Sequence, residues 1–294
     1  MRRAAFLEHV AWTGAGIAYS LGAGGLMAGR AVASASAQTV DFVQISDSHI
    51  GFHQAANPDV AGTLAMAVDA INALPSQPAF VVHCGDVTHL STPAQFDDAR
   101  AVLSRLRAPL IALPGEHDVL GNDFKPYLAA FKIPGSKPGG WSSWDAKGVH
   151  YVALVNVFDF EKMGMLGNDQ LDWLAKDLVG VAPSVPVVVF THAPLYALYP
   201  DWGWTTADGA AALALLRRFD RVTMLSGHIH QVLTHQDGNI VFASADSTAY
   251  PQPKPGTAAK PGPVTLPHDD LLHAIGYRTV RLGATPAFED RALG

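Results

Sequence analysis

Six short apolar runs constrain this chain more than any other feature: VDFVQIS (40–46), AFVVHCG (79–85), PLIALPG (109–115), VHYVALVNV (149–157), PVVVFTH (186–192) and RVTMLSGH (221–228). Rich in β-branched residues and lacking polar–apolar alternation, they are predicted as strands, mostly buried on both faces. Helical periods separate them. Asn57-Pro58 opens one, with Val60, Leu64, Val68 and Ile71 on a single face, and Thr92-Pro93 opens another with Gln95 three residues after the cap. Leu171, Leu174 and Leu178 mark a third, and a fourth is less sharply drawn near 207–219. Strand–helix alternation predicts an α/β layered fold in which ligand groups gather at the carboxyl ends of the strands.

Those ends carry unusual residues. Asp47-Ser48-His49 follows the first run, Gly85-Asp86 the second, Gly115-Glu116-His117-Asp118 the third, Thr191-His192 the fifth and Gly227-His228-Ile229-His230 the sixth. Unpaired ionised groups are costly to bury, so LPGEHD (113–118) makes a poor core segment unless a metal changes the balance. A lone histidine at a strand end is an ordinary structural residue; the same pattern at five ends is a constellation. Mixed carboxylate and imidazole donors suit Zn, Mn or Fe rather than calcium. If the local chain stays extended, the pairs Asp47/His49 and His228/His230 each send both side chains to one face.

With 294 residues, 49% hydrophobic and 16% charged, the chain has material for one large globular domain or two small ones. A single cysteine, Cys84, rules out an intramolecular disulfide, and its place in a buried-looking strand end makes it a small core residue. The amino terminus combines Arg2-Arg3, an uncharged Gly/Ala-rich stretch over 10–29 and Ala35-Ser36-Ala37. It reads as a twin-arginine export signal over 1–37, leaving 38–294 as a mature domain exported to the periplasm. An uncleaved membrane anchor is the other reading of 10–29, although its glycine content and modest hydropathy suit a transient segment better. Removing 1–37 takes away Arg2, Arg3, Arg30 and Glu8, which makes the net charge of −6 two units more negative. Polyanions are repelled at long range by such a protein, which argues against non-specific nucleic-acid binding, and an anionic substrate then requires a local positive centre. Two Pro/Gly-rich stretches, 132–148 and 250–270, are too long for ordinary connections; the second is either an inconsequential insertion or a lid.

The ordered blocks D-x-H, G-D, G-E-H-D, H and G-H-x-H resemble those of the calcineurin-like metallophosphoesterases. GNDQLDWLAKDL (167–178), SWDAKGVHYVALVN (143–156) and GYRTV (276–280) extend the likeness over the whole mature chain. The resemblance implies a four-layer α/β/β/α sandwich, two mixed β-sheets flanked by helices, and a pair of metal ions (Fe, Mn or Zn). It puts Asp47, His49, Asp86 and His230 around one ion and Asp86, Glu116, His192 and His228 around the other, with Asp86 bridging. His117 matches the family's proton donor, and Asp118 the acid that orients it. The implied activity is hydrolysis of small phosphate esters, phosphodiesters ahead of monoesters, by a hydroxide activated between the ions. A periplasmic binding or sensor protein that holds metal without turnover is the alternative, and the presence of His117 favours the enzyme.

Glu116 departs from the family, which usually has asparagine there. Three carboxylates, Asp47, Asp86 and Glu116, against two divalent ions leave a net +1, one unit lower than asparagine would leave. A trivalent ion such as Fe³⁺ restores that unit, so Glu116 is expected to tune metal choice. Purple acid phosphatases, which are relatives, carry a metal-ligating tyrosine three residues after the G-D aspartate. His89 takes that position here and is expected to line the cleft or cap the turn before Ser91. His53 is expected on an exposed loop. Trp202 and Trp204, like Trp141 and Trp144, either wall a cleft for an apolar group or serve ordinary packing.

Overall fold

The computed structural model describes residues 17–22, 25–30, 41–120, 124–131, 136–157 and 164–294. The chain divides into two compact units, Met1–Gln38 and Thr39–Gly294. In the first, the backbone of β1 (Ile17–Gly22) pairs antiparallel with β2 (Gly25–Arg30). Arg2, Arg3 and Ala37, on which the export reading turns, lie outside the described residues. Among the described residues, no helix is long and apolar enough to cross a membrane.

The second unit is built on two mixed sheets. One runs in the order β13 (Ala287–Ala292), β12 (Gly276–Arg281), β3 (Phe42–Ile45), β4 (Val81–Cys84), β5 (Leu110–Leu113). β3, β4 and β5 are parallel, and β12 is antiparallel to both β3 and β13. The other runs β10 (Leu233–Asp237), β11 (Ile240–Ser244), β9 (Val222–Ser226), β8 (Val187–Phe190), β7 (Val149–Ala153), β6 (Ser142–Ala146). Its four central strands are parallel and its two edge strands antiparallel.

Period-two alternation assigns each strand face to a layer. Val43, Ile45 and Val81 point outward under α1 (Val60–Asn72) and α2 (Pro93–Leu103), where they meet Leu64, Val68, Ile71 and Leu103. Phe42, Val82 and Cys84 point inward and meet Tyr151, Val188, Phe190 and Leu225 of the facing sheet. On the far side, Val187, Val189 and Met224 pack beneath α4 (Asn168–Val179) and α5 (Gly209–Leu216) through Leu174, Leu178 and Leu216. Full burial of each such side chain contributes about 1.5–3 kcal/mol. Gln44 is a buried polar residue between the sheets, and its Nε2 donates to Ser226 O across the layer at 2.9 Å. The four-layer α/β/β/α arrangement is thus the observed one.

Both predicted caps correspond to helix starts, with one shift. Thr92 Oγ1 accepts from Gln95 N at 3.3 Å, but Asp59 rather than Asn57 caps α1, accepting from Gly62 N at 2.9 Å. Several elements lay outside the sequence reading. β6 runs through the stretch 132–148 that reads as irregular, and α6 (His268–Ala274) overlaps the end of 250–270. α3 (Lys125–Ala130) is a two-turn helix without a strong period. The hairpin β10–β11 had a legible signal, Asp237-Gly238 between two short runs, with Gly238 at φ +60°.

Candidate metal centre

All five motif-bearing strands end at one edge of the sandwich, and the turns after them are strained. Asp47, His49, Asp86, His228 and His230 adopt φ of +54°, +43°, +53°, +69° and +51°. The extended geometry assumed for the D-x-H and H-x-H pairs therefore does not hold. Left-handed turns, not strand alternation, aim these side chains together. Such conformations cost a non-glycine residue about 1–3 kcal/mol each and persist where surrounding bonds over-determine them. Here Asp47 N donates to Gly85 O and His49 N to Asp86 O, each at 2.9 Å, and Ser247 Oγ donates to Asp47 O at 2.8 Å. The glycines of the motifs permit close approach. A Cβ on Gly85 would stand 2.4 Å from His192 Nδ1, and one on Gly115 2.0 Å from Asp86 Oδ1.

The donors form two groups that share one oxygen. His49 Nε2 lies 3.3 Å from His230 Nε2 and 3.6 Å from Asp86 Oδ2, and His230 Nε2 lies 3.4 Å from Asp47 Oδ1. In the second group, Glu116 Oε2 is 2.8 Å from His192 Nε2 and Glu116 Oε1 is 2.9 Å from His228 Nδ1. Asp86 Oδ2 is 3.5 Å from His192 Nε2, so it faces both groups, while Asp86 Oδ1 accepts from His117 N at 2.9 Å.

Tautomers agree with a cation-binding role. His192 Nδ1 pairs with Cys84 O at 2.7 Å and His230 Nδ1 with Tyr250 O at 2.6 Å. A carbonyl can only accept, so both rings carry a proton on Nδ1 and leave Nε2 facing the centre as the atom a metal would take in exchange for any proton there. His192 Nε2 is buried and, despite its closeness to Glu116, no group lies in hydrogen-bonding direction from it. Donors about 2.0–2.2 Å from a common ion stand roughly 3.0–3.5 Å apart, which is the spacing seen here. The residues present fit a metal.

The electrostatics of the protein alone point the same way. Burial, and then His117 and His230, hold the His49 imidazole well below its usual range and hence neutral. Burial raises Asp47, but His230 and His192 outweigh it and lower the carboxyl to about 2. Burial also raises Glu116, yet His228 and His192 carry it well below the usual carboxylate range. His192 is opposed by burial and raised well above its usual value by Asp86 and Glu116. An acid-rich pocket that gathers protons onto its histidines is one that exchanges them for a cation.

Asp118 does not take the orienting role expected of it. His117 Nδ1 pairs with His89 O at 2.8 Å, and the His89 ring stacks on His117 at 4.8 Å. The Asp118 carboxylate accepts instead from Gly115 N, Val87 N, Thr88 N and Thr88 Oγ1 at 2.7–2.9 Å, stapling the turn after β5 to the turn after β4. Burial, and then Asp86, push its pKa up to about 7 against the pull of these donors. Every group facing it donates, so the ionised form is the one that satisfies them. On His117 it acts only as a distant charge: burial lowers that ring, and Asp86, Glu116, the His89 hydrogen bond and last Asp118 raise it.

His89 matters more than its sequence position suggested, since its Nδ1 also lies 3.3 Å from His49 Nδ1. Tyr250 stacks on His49 at 5.0 Å, a contact with no sequence signal because 201 residues separate them in the chain. Trp202 and Trp204 line the cavity above the donors, whereas Trp141 and Trp144 pack in hydrophobic clusters away from it. His53 is exposed. Cys84 is buried and its thiol is pushed up to about 12, first by burial, so it is no nucleophile. Residues 250–263 form a wall of the cavity, which encloses about 530 Å³.

The sequence profile of the calcineurin-like phosphoesterases matches residues 40–232. A glycerophosphodiester phosphodiesterase of Enterobacter lignolyticus is 28% identical over 220 residues, spanning 73% of this chain and 78% of that protein. A probable cyclic nucleotide phosphodiesterase of Synechococcus is 28% identical over 217 residues, spanning 72% and 82%. In fold, the chain is similar to a dimetal phosphatase from Danio rerio, with a TM-score of 0.66 at 15% identity over 86% of this chain and 96% of that one. The chain therefore belongs to the calcineurin-like phosphoesterases, and it is a hydrolase whose phosphoester chemistry depends on metal.

Proposed function

We propose that this protein hydrolyses phosphodiesters at a centre of two metal ions bridged by Asp86. One observation carries the two-ion reading: Asp86 Oδ2 lies within 3.6 Å of both His49 Nε2 and His192 Nε2, the innermost imidazole of each donor group. Ions held by Asp47, His49, Asp86 and His230, and by Asp86, Glu116, His192 and His228, would supply the Lewis acidity that activates water and offsets charge on a phosphoryl group. The remaining work falls to side chains. With Nδ1 of His117 committed to the His89 carbonyl, a proton given to a departing oxygen comes from Nε2. Trp202, Trp204 and Phe52 give the cavity an apolar side that excludes water and accommodates a second ester arm, which supports diesters over monoesters, as do the diesterase relatives.

The test is turnover of bis(p-nitrophenyl) phosphate against p-nitrophenyl phosphate by the full chain, with metal content measured alongside. Two ions per chain and a higher kcat/KM for the diester are expected; one ion at full activity, or a monoester preference, would overturn the reading. His117→Ala should keep its metals and lose about 10²- to 10⁴-fold in rate on alkyl esters, and far less on p-nitrophenyl esters, whose leaving group needs no proton. An equal loss on both would remove His117 from that role.

A further inference from the structure

We infer that Lys260 is a specificity residue that reads a second anionic group, carried on an arm of the substrate away from the phosphate that is cleaved. This role presupposes phosphoester hydrolysis at the neighbouring centre and adds the class of ester that the cavity takes.

The segment bearing Lys260 is a built wall. Its base is closed by Val264 N donating to Pro251 O at 3.0 Å, which makes residues 251–264 a compact loop with adjacent ends. Within it, Thr257 N and Oγ1 both donate to Lys254 O, at 3.0 and 2.7 Å. Prolines at 251, 253, 255, 261 and 263 restrict its backbone further. It is also tied to the backbone of the donor residues. Gln252 Nε2 donates to His228 O at 3.1 Å, and Gln231 Nε2 reaches back to Pro253 O at 2.8 Å. From this anchored loop Lys260, Pro261, Gly262 and Pro263 border the cavity.

Charge then decides what Lys260 is for. Among the described residues that line the cavity it is the only lysine or arginine, and no described carboxylate pairs with it. The scissile phosphate has its own positive centre. Cations held by Asp47, Asp86 and Glu116 would leave that centre a net positive charge to meet the single negative charge of a diester. A cation on the cavity border, outside the donor set, is left for an anion elsewhere on the substrate. At about 530 Å³ the cavity exceeds the needs of a phosphate alone and has room for such an arm. The anchored loop fixes the backbone from which the exposed Lys260 side chain extends, so the segment itself need not be ordered on binding.

The experiment uses the metal-loaded full chain and three p-nitrophenyl phosphodiesters whose second arm is propyl, 3-carboxypropyl or 3-phosphonooxypropyl. Wild type should show a lower KM for the two anionic arms, and the contrast between them tells whether a carboxylate or a phosphate is preferred. Lys260→Ala should shrink the KM ratio of neutral to anionic arm by about two- to fivefold, and Lys260→Glu should shrink it further, the range expected for one partly exposed ion pair. Lys254→Ala, on the same loop but not on the cavity border, should leave the ratio alone. Calorimetric titration with the matching phosphonate analogues should give the same order in Kd, without turnover. Equal ratios in wild type and Lys260→Ala would overturn the role of Lys260 while leaving diester hydrolysis standing. Failure of the loaded wild type to cleave any of the three would overturn both.

Discussion

Replacing Asp118 by asparagine separates a staple from an orienting acid. The wild-type carboxylate is fully buried and accepts four hydrogen bonds: Oδ2 from Val87 N and Gly115 N, Oδ1 from Thr88 N and Thr88 Oγ1. An amide has one acceptor oxygen, so two of these donors must face an NH₂. Placed at the Oδ2 position, the NH₂ confronts two backbone N–H groups that cannot turn away. At the Oδ1 position it confronts only Thr88 N, because the Thr88 hydroxyl can rotate and accept. The introduced amide should therefore adopt the second orientation, leave one buried N–H unsatisfied at about 1–3 kcal/mol, and weaken the other bonds by removing their charge. The expected loss is roughly 2–4 kcal/mol for Asp118→Asn and more for Asp118→Ala, which orphans three backbone N–H groups at once. Urea unfolding of the metal-free variants measures this directly. Metal stoichiometry should fall alongside stability, because Asp118 holds the turn of Glu116 against the turn of Asp86. A stability change under about 0.5 kcal/mol, combined with a large rate loss at full metal content, would refute the staple and return Asp118 to orienting His117.

Three further expectations follow from other parts of the molecule. Glu116→Asn removes a negative charge that lies 2.8 Å from His192 Nε2, so the variant should load two divalent ions where wild type favours a trivalent–divalent pair; elemental analysis after mixed Fe and Mn loading reads the difference, and identical metal contents would count against it. His150 is bonded on both nitrogens, 2.9 Å from Asp145 and 2.9 Å from Asp177. Burial lowers His150, but the two aspartates outweigh it and raise its pKa above 6.5, while burial raises Asp177 but His150 and Ser143 outweigh it and lower its pKa below 3.8. Stabilisation is then full between those ordinary values, lost as pH rises through the raised His150 value and lost as pH falls through the lowered Asp177 value. His150→Ala should cost about 1–3 kcal/mol near pH 5.5 and less at pH 9, and a pH-independent difference in urea midpoint would contradict this. We further propose that residues 1–37 direct export: they should be missing from protein recovered outside the cytoplasm, and Lys-Lys in place of Arg2-Arg3 should strand the precursor, whereas unchanged export would exclude a twin-arginine route.

Much of this protein was legible in its residues. Buried parallel strands need continuous apolar runs, and helices on a sheet need one apolar face, so β3, β4, β5, β8 and β9 and the helices α1, α2 and α4 announced themselves by period alone. The donor residues were equally plain, because carboxylates and imidazoles have no other reason to recur where apolar strands end. The edge strands β6, β10 and β13 were not, since a strand with one solvent face is short, polar and weakly patterned; β10 is largely exposed along its length. Only the tertiary structure decided how the donors converge. Local sequence cannot show that Asp47, His49, Asp86, His228 and His230 sit in left-handed turns, because that strain is tolerated only where bonds from distant segments hold it. Nor can it show which atom satisfies a neighbour far along the chain: that Tyr250 and Cys84 offer carbonyls to site histidines, that His89 rather than Asp118 holds His117, or that a proline-rich loop brings Lys260 to the cavity. Those pairings are long-range, and they exist only once the two sheets have packed face to face.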